Sequence, residues 1–468
     1  MRRRDFIKGA MGLAAAATVF PSRAAADVIP DDGTIPLPLD QVRFDQEIYA
    51  RNDARTIIVF LGGGMSDVVA NTQHIKQIMD EDLSFVPYEK GAFEIDSTTP
   101  YTTSTQNHFW KQAGGDFLEK MLSNGDMNLF RTCYRGYGSA GHGINQKRYA
   151  HGNDRGYESG IVATLMHVLY RNGAIPQNAK LPNVSIDGGF YKLLQDNGAP
   201  KALPGYLKPI SFNRSFDNPY NYKRDDQGWV DLGDYSADRI FNEVGYDARL
   251  NALMQKNNHY DALSDVFNYR KEISDFIEEV KNAELPVEYP DTIDGRKFEV
   301  AMRILTNNPD TKVVTMSGGH SGWDDHSDAI MNHMSRAHQL FAAIDAAIDH
   351  ANSLQMDNLN IVLFGDFGRN MNINSAKGWD HGNNQNVFWF GGGRFFNNLG
   401  IVGETELQVW LKKARLYSRP TADSFKFPPY NIAATIYALY GITNPEILTG
   451  GYGVIDPEDK IGTPFLKG

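Results

Sequence analysis

Between Ser317 and Gly393 two short apolar runs are each followed by a glycine-rich loop full of carboxylates and imidazoles. The stretch opens SGGHSGWDDHSD, passes through IVLFGDFGRN and continues as NSAKGWDHGNNQNVFWFGGG. Lys312–Met316 and Ile361–Phe364 are rich in β-branched and bulky residues and suit buried parallel strands. Between them Ala337, Leu340, Phe341, Ile344, Ala347, Ile348 and Leu354 recur at helical spacing within Ser335–Leu354. A strand, helix, strand crossover brings both acidic loops to one edge of a parallel sheet, the edge where open α/β folds bind ligands. Asp324, Asp325, His326, Asp366, Asp380 and His381 then gather there, and carboxylates with imidazoles are the ligands of hard or borderline divalent ions. Each residue also has a plainer reading: His326 as a hydrogen-bonded imidazole, Asp325 as a helix cap, and His333, His338 and His350 as packing or surface groups.

The remainder of the chain fits an α/β fold with a predominantly parallel sheet flanked by helices. Thr56–Leu61 is a strand running into Gly62, Gly63 and Gly64, with Asp67 close behind; Asn128–Tyr134 is a second core strand. After it come Gly138, Ser139, Ala140, Gly141, His142 and Gly143, then Arg148. Ser139 in that turn is a candidate nucleophile, with Arg148 as an anion clamp; the alternative is a glycine loop bearing surface polar groups. Further segments read as a helix over Gly160–Tyr170, strands at Val184–Gly189 and Asn386–Phe390, and a helix over Pro429–Ile442. From about Phe190 to Lys297 clear strands disappear, and this part reads as a mainly helical insertion or cap, at about 190–297, within a domain spanning 27–468.

The first 26 residues read as an export signal: Arg3 and Arg4, an Ala-rich apolar run from Gly9 to Phe20, and small residues at Ala24–Ala26. The apolar run is shorter than the ~20 residues a spanning helix needs. Its removal takes away Arg2, Arg3, Arg4, Lys8 and Arg23 against Asp5, so a chain of net charge −11 becomes more acidic. That balance argues against nucleic acid as a partner, and no later run is long and apolar enough for a stable membrane span. The single cysteine, Cys133, excludes an internal disulfide and reads as a small buried hydrophobe.

GWDDH at 322–326, GDFGR at 365–369 and GWDHG at 378–382, with the early FLGGGMSD, the SAGHGINQKR stretch and the paired arginines, resemble a family of exported bacterial proteins of unknown function. That family is placed in the alkaline phosphatase and sulfatase superfamily. The resemblance implies an alkaline phosphatase-like fold, passage through the twin-arginine export machinery, and a periplasmic or secreted location. It also implies a divalent metal, whether zinc, manganese, magnesium or calcium. Asp324, His326, Asp366 and His381 would be its ligands, with Asp67 assisting, Ser139 as nucleophile and Arg148 or Arg369 steadying the anion. The implied activity is hydrolysis of a phosphate or sulfate ester, the substrate being a small anionic ester or a cell-envelope component. Two positions depart from the superfamily pattern: Gly63 stands where a first-strand carboxylate is usual, and Phe367 where an imidazole is. These departures fit the alternative, a non-catalytic periplasmic binding protein on a degenerate version of the fold.

Overall fold

Arg55–Leu61 (β1) is buried from Thr56 onward, so both its faces must be covered by other layers. The computed structural model describes residues 35–88, 104–136, 141–197, 199, 201–218, 221–224, 230–236, 260–318, 322–328 and 330–468. The export signal read at residues 1–26 lies outside them. Among the described residues eleven further strands follow β1: β2 Met127–Tyr134, β3 Asn183–Ile186, β4 Ile210–Phe212, β5 Asn221–Arg224, β6 Val230–Ser236, β7 Val313–Ser317, β8 Leu359–Gly365, β9 Asn384–Gly391, β10 Ile401–Val402, β11 Thr405–Leu411 and β12 Arg415–Pro420. The principal helices are α1 Gly115–Ser123, α2 His142–His151, α3 Ile161–Arg171, α4 Tyr260–Lys281, α5 Ile293–Asn307, α6 Ile330–Ser353 and α7 Tyr430–Leu439.

Eight strands form the central sheet in the order β10-β2-β9-β8-β1-β7-β3-β4. All neighbours pair parallel except at β9, which runs antiparallel to both β2 and β8. Alternate side chains of the strands feed two cores. Ile57, Val59, Ile361 and Leu363 pack with Leu118 of α1, Phe298 of α5 and Leu340 and Ile344 of α6. Ile58, Phe60, Val362 and Phe364 pack on the other face with Val162 and Leu165 of α3 and Ile432 and Ile436 of α7. This is a three-layer α/β fold, and the crossover β7–α6–β8 passes over β1 as the apolar spacing requires.

Strand direction positions the site. The carboxyl ends of β1, β2, β7 and β8 lie on one edge, and because β9 is reversed its amino end lies there too. Residues before Asn384 therefore reach the same edge as residues after Leu61, Tyr134 and Gly365.

Residues 190–297 hold strands β4, β5 and β6 beside α4, although the sequence shows no clear strand there. Their sequences, ISF, NYKR and VDLGDYS, are short or polar and lack an apolar run. β4 extends the central sheet by pairing with β3, while β5 and β6 form a separate two-stranded sheet. Cys133 is buried. Among the described residues no helix is long and apolar enough to cross a membrane.

Ile361, fully buried in β8 between β1 and β9, is expected to cost about 2–5 kcal/mol on replacement by Ala. Leu354→Ala, at a position 47% exposed, should stay within about 0.5 kcal/mol. Urea melts of the two variants check this; equal losses would contradict the layer assignment.

Candidate metal centre

The turn after β1 sets the geometry of the edge. Gly63 (φ +112°) and Gly64 (φ +83°) are in conformations that L side chains rarely adopt. A Cβ on Gly63 would stand 2.2 Å from the Asp324 backbone nitrogen, and one on Gly64 would stand 2.0 Å from the Phe367 carbonyl oxygen. The loops after β7 and β8 are thus pressed against bare backbone, and Trp323 N–H donates to the Gly62 carbonyl at 2.8 Å. This is the physical reason that no carboxylate stands at Gly63.

Arg369 locks the arrangement. It is fully buried, and each of its nitrogens has partners. Nε donates to the Gly64 carbonyl (3.4 Å), Nη1 to the Trp379 carbonyl (3.1 Å), and Nη2 to the carbonyls of Gly63 and Trp323 (2.9 Å to the latter) and to Asp324 Oδ1 (2.7 Å). One guanidinium thereby ties together the loops after β1, β7 and β8 and the loop before β9, which is the kind of task a rigid fork of donors performs. The sequence reading of Arg369 as an anion clamp is corrected on this ground: its donors are committed to the protein.

On this frame His142, Asp324, His326 and His381 each offer a donor atom, and these atoms all lie within 4.8 Å of one another. His326 Nε2 is 3.0 Å from His381 Nε2 and 3.0 Å from Asp324 Oδ1, and His142 Nε2 is also 3.0 Å from Asp324 Oδ1. The second nitrogens of two rings are anchored. His142 Nδ1 donates to Asp366 Oδ2 at 2.6 Å, and His326 Nδ1 donates to Asp380 Oδ1 at 3.1 Å. Those bonds leave the Nε2 atoms facing the common point, the carboxylate, imidazole, ligand geometry of metal proteins.

The electrostatics follow. The hydrogen bond to Asp366, the largest influence, raises the His142 pKa above the usual imidazole value against the opposing effect of burial. Burial first, then the Arg369 charge, lowers that of His381 to about 4, so its ring is neutral at pH 7. Burial works to raise the Asp324 carboxyl, but the Arg369 hydrogen bond and charge outweigh it and hold the group below its ordinary range.

Phe367 supplies a wall instead of a ligand. Its ring is buried, with centroids 4.6 Å from His142 and 4.3 Å from His381. Beneath it a second network holds the loop. Asp325 accepts from His333 Nδ1 and Arg336 Nη2, both at 2.5 Å, while His333 Nε2 accepts from Ser66 N–H at 3.0 Å. Asp325 is therefore engaged with the interior of α6 rather than capping it.

The sequence-based site residues fall into three groups. Asp324, His326 and His381 converge. Asp366 is displaced one step outward: its Oδ1 accepts from Gly63 N–H at 2.9 Å and its Oδ2 from His142, so both oxygens are occupied in positioning. Asp67 and Arg148 are elsewhere. Asp67 opens the 3-10 turn Asp67–Ala70, which tucks it beside Gly368, where a Cβ would lie 2.2 Å from its Oδ1. Burial pushes its carboxyl well above the carboxylate range, with a hydrogen bond from Asn384 opposing. Arg148 is six residues along α2 from His142, about 240° around a helix of 3.6 residues per turn; it lies near Tyr430. Ser139 lies outside the described residues. The residue that sequence reasoning passed over is His142, whose only signal was its place between two glycines after a core strand.

The fold and site thus define an α/β protein with a histidine-rich donor cluster at the carboxyl edge of its sheet. Residues 53–453 match the family described as protein of unknown function (DUF1501), and the chain belongs to that family. Among solved structures it is similar to the lipoteichoic acid synthase LtaP from Listeria monocytogenes, at 9% identity over 92% of this chain and 85% of that one, with a TM-score of 0.35. It is also similar to Ps i-CgsB, at 11% identity over 86% of this chain and 74% of that one, with a TM-score of 0.32. Both likenesses are distant.

Arg369→Lys keeps the charge but cannot reach all the carbonyls that the guanidinium joins. It is expected to destabilise the protein by about 3–5 kcal/mol, the cost of breaking a buried charged network. Arg148→Lys should stay within about 0.5 kcal/mol. Denaturant melts compare them, and a silent Arg369→Lys would remove the guanidinium from its central place.

Proposed function

We propose that this chain is an exported, metal-dependent hydrolase of phosphate or sulfate esters. The observation that carries the reading is the convergence of three imidazoles and one carboxylate on a single point. The donor set fits a divalent ion. The Nδ1 atoms of His142 and His326 are spoken for by carboxylates and His381 is held neutral, so an ion that displaces the His142 proton and the 3.3 Å contact of Arg369 Nη1 with His326 Nε2 would meet three imidazoles beside Asp324. Such a mixture favours zinc or another borderline ion over magnesium or calcium, which take oxygen ligands.

His142, Asp324, His326 and His381 would hold the ion, which supplies Lewis-acid polarisation of a phosphoryl or sulfuryl oxygen. Asp366 and Asp380 orient His142 and His326, Phe367 limits water on the inner side, and Arg369 fixes Asp324. Ser139 remains the candidate nucleophile, three residues ahead of His142 in the chain. Residues 1–26 act as the twin-arginine signal, placing the protein in the periplasm or outside the cell. The superfamily resemblance of the three motifs supports the ester chemistry.

A second reading has its own support. Phe367 and Gly63 remove two customary ligand positions, and Arg369 already pairs with Asp324; a protein that keeps an ion and binds an envelope component without turnover fits those features. Elemental analysis of the full chain, purified without chelators, is expected to find a bound divalent ion that is lost in His142→Ala and His381→Ala and retained in Asp67→Asn. A panel of aryl phosphates, phosphodiesters and aryl sulfates should then show turnover above the metal-only background. Metal without turnover would favour the binding protein, and absence of metal would overturn both forms.

The proton on His142 competes with metal. Uptake should therefore strengthen as pH rises through and above the ordinary imidazole value of about 6.5. Asp366→Asn removes the main cause of the raised pKa and should shift the uptake curve to lower pH, while weakening affinity at its plateau about 10–100-fold. An unshifted curve would contradict the role given to Asp366.

A further inference from the structure

Asp324 of the cluster is exposed, and His326 and His381 open sideways into a cleft. His326, Asp380 and His381 form the inner end of a cleft of about 410 Å³, within the ~300–1,000 Å³ usual for small-molecule sites and so roomy enough for more than an ester group. Its outer wall is the antiparallel hairpin β11–β12. Leu416 and Ser418 of β12 are buried against the body, so by strand alternation Arg415, Tyr417 and Arg419 share the opposite face. All three line the cleft.

Trp410 completes that wall. The register of the hairpin passes from Val409↔Leu416 to Leu411↔Arg415, leaving Trp410 as the extra residue of a bulge, a device that re-aims a side chain. Trp110, Trp323, Trp379 and Trp389 are buried, whereas Trp410 is 67% exposed and lines the cleft. Arg419 stacks on Tyr417, its guanidinium carbon 4.9 Å from the ring centre, and donates to Gln408. Its Nε is buried without a hydrogen-bond partner among the described residues. Arg415 is exposed, and among the described residues no carboxylate pairs with it. In a chain of net charge −11, two arginines and one acid in a single cleft mark a place for anions.

Resting on the hydrolase reading above, we infer that this hairpin is the substrate-recognition wall, and that the substrate is a ring-bearing ester with a second anionic group. The ester lies at the histidine end, a sugar packs its C–H face on Trp410, and the second anion pairs with Arg415 and Arg419. Aromatic faces hold such rings through apolar and polarisation contacts, and the arginine fork holds phosphate or sulfate by charge-assisted hydrogen bonds.

The test is calorimetric titration of the metal-loaded full chain with inorganic phosphate, glucose 6-phosphate and fructose 1,6-bisphosphate. Affinity is expected to rise in that order, by about tenfold at each step. Trp410→Ala should weaken both sugar ligands about tenfold and leave phosphate unchanged, and Arg415→Ala should weaken the bisphosphate alone by about tenfold. Both side chains are exposed, so thermal melts of the variants should match the parent. Equal binding of the three probes, or variants that bind the bisphosphate as the parent does, would overturn the inference. The two readings fail separately. If phosphate shows no metal-dependent binding but Trp410→Ala still weakens glucose 6-phosphate, the metal reading falls and the cleft stands. If phosphate binds with metal and both variants are silent, the cleft reading falls.

Discussion

A buried guanidinium holds the functional edge of this protein together. Arg369 donates to backbone carbonyls of Gly63, Gly64, Trp323 and Trp379, which belong to loops far apart in sequence, and to the carboxylate of Asp324. Its charge is compensated where it is needed: Asp324 is held ionised and His381 neutral. Burying an unpaired arginine would be costly, so the loops are obliged to meet around it. The bare glycines at 63 and 64 are the counterpart of this constraint, since only backbone without side chains lets the loops approach closely enough.

The sheet delivers the pieces. Parallel strands β1, β7 and β8 bring the glycine turn, Asp324 with His326, and Asp366 to one edge, while the reversed β9 brings His381 from the opposite chain direction. His142 arrives at the start of α2, after β2. Each donor is then aimed by a neighbour: Asp366 for His142, Asp380 for His326, and the Phe367 ring packed against both His142 and His381. Rings fixed in this way are oriented toward one point in advance, which is what an ion-binding or charge-stabilising site requires.

Much of this was legible in the chain itself. Buried parallel strands advertise themselves as apolar runs, so Thr56–Leu61, Lys312–Met316 and Ile361–Phe364 could be placed within a residue or two of β1, β7 and β8, and the acidic loops after them marked the site edge. The direction of β9 could not be read, because a strand's sequence does not say which way it pairs. Nor could the ranking of donors: Asp366 looks like a ligand in sequence, and only the hydrogen bonds to Gly63 and His142 show that its oxygens are already engaged. His142 was hidden beside the more conspicuous Ser139. Arg369 read as an anion clamp because nothing in a sequence reveals that four carbonyls converge on it. The hairpin β11–β12 escaped notice for another reason: one face is polar and exposed, and its bulge breaks the alternation that would have announced it.

The convergence of three imidazoles and one carboxylate is the claim on which the functional account stands, and X-ray absorption at the zinc edge of the zinc-loaded full chain addresses it most directly. The account expects a first shell dominated by nitrogen and oxygen, with the outer-shell scattering of about three imidazoles, falling by one in His142→Ala and by one in His381→Ala. A shell of oxygen alone, or an imidazole signal unchanged in both variants, would show that these residues do not hold the ion.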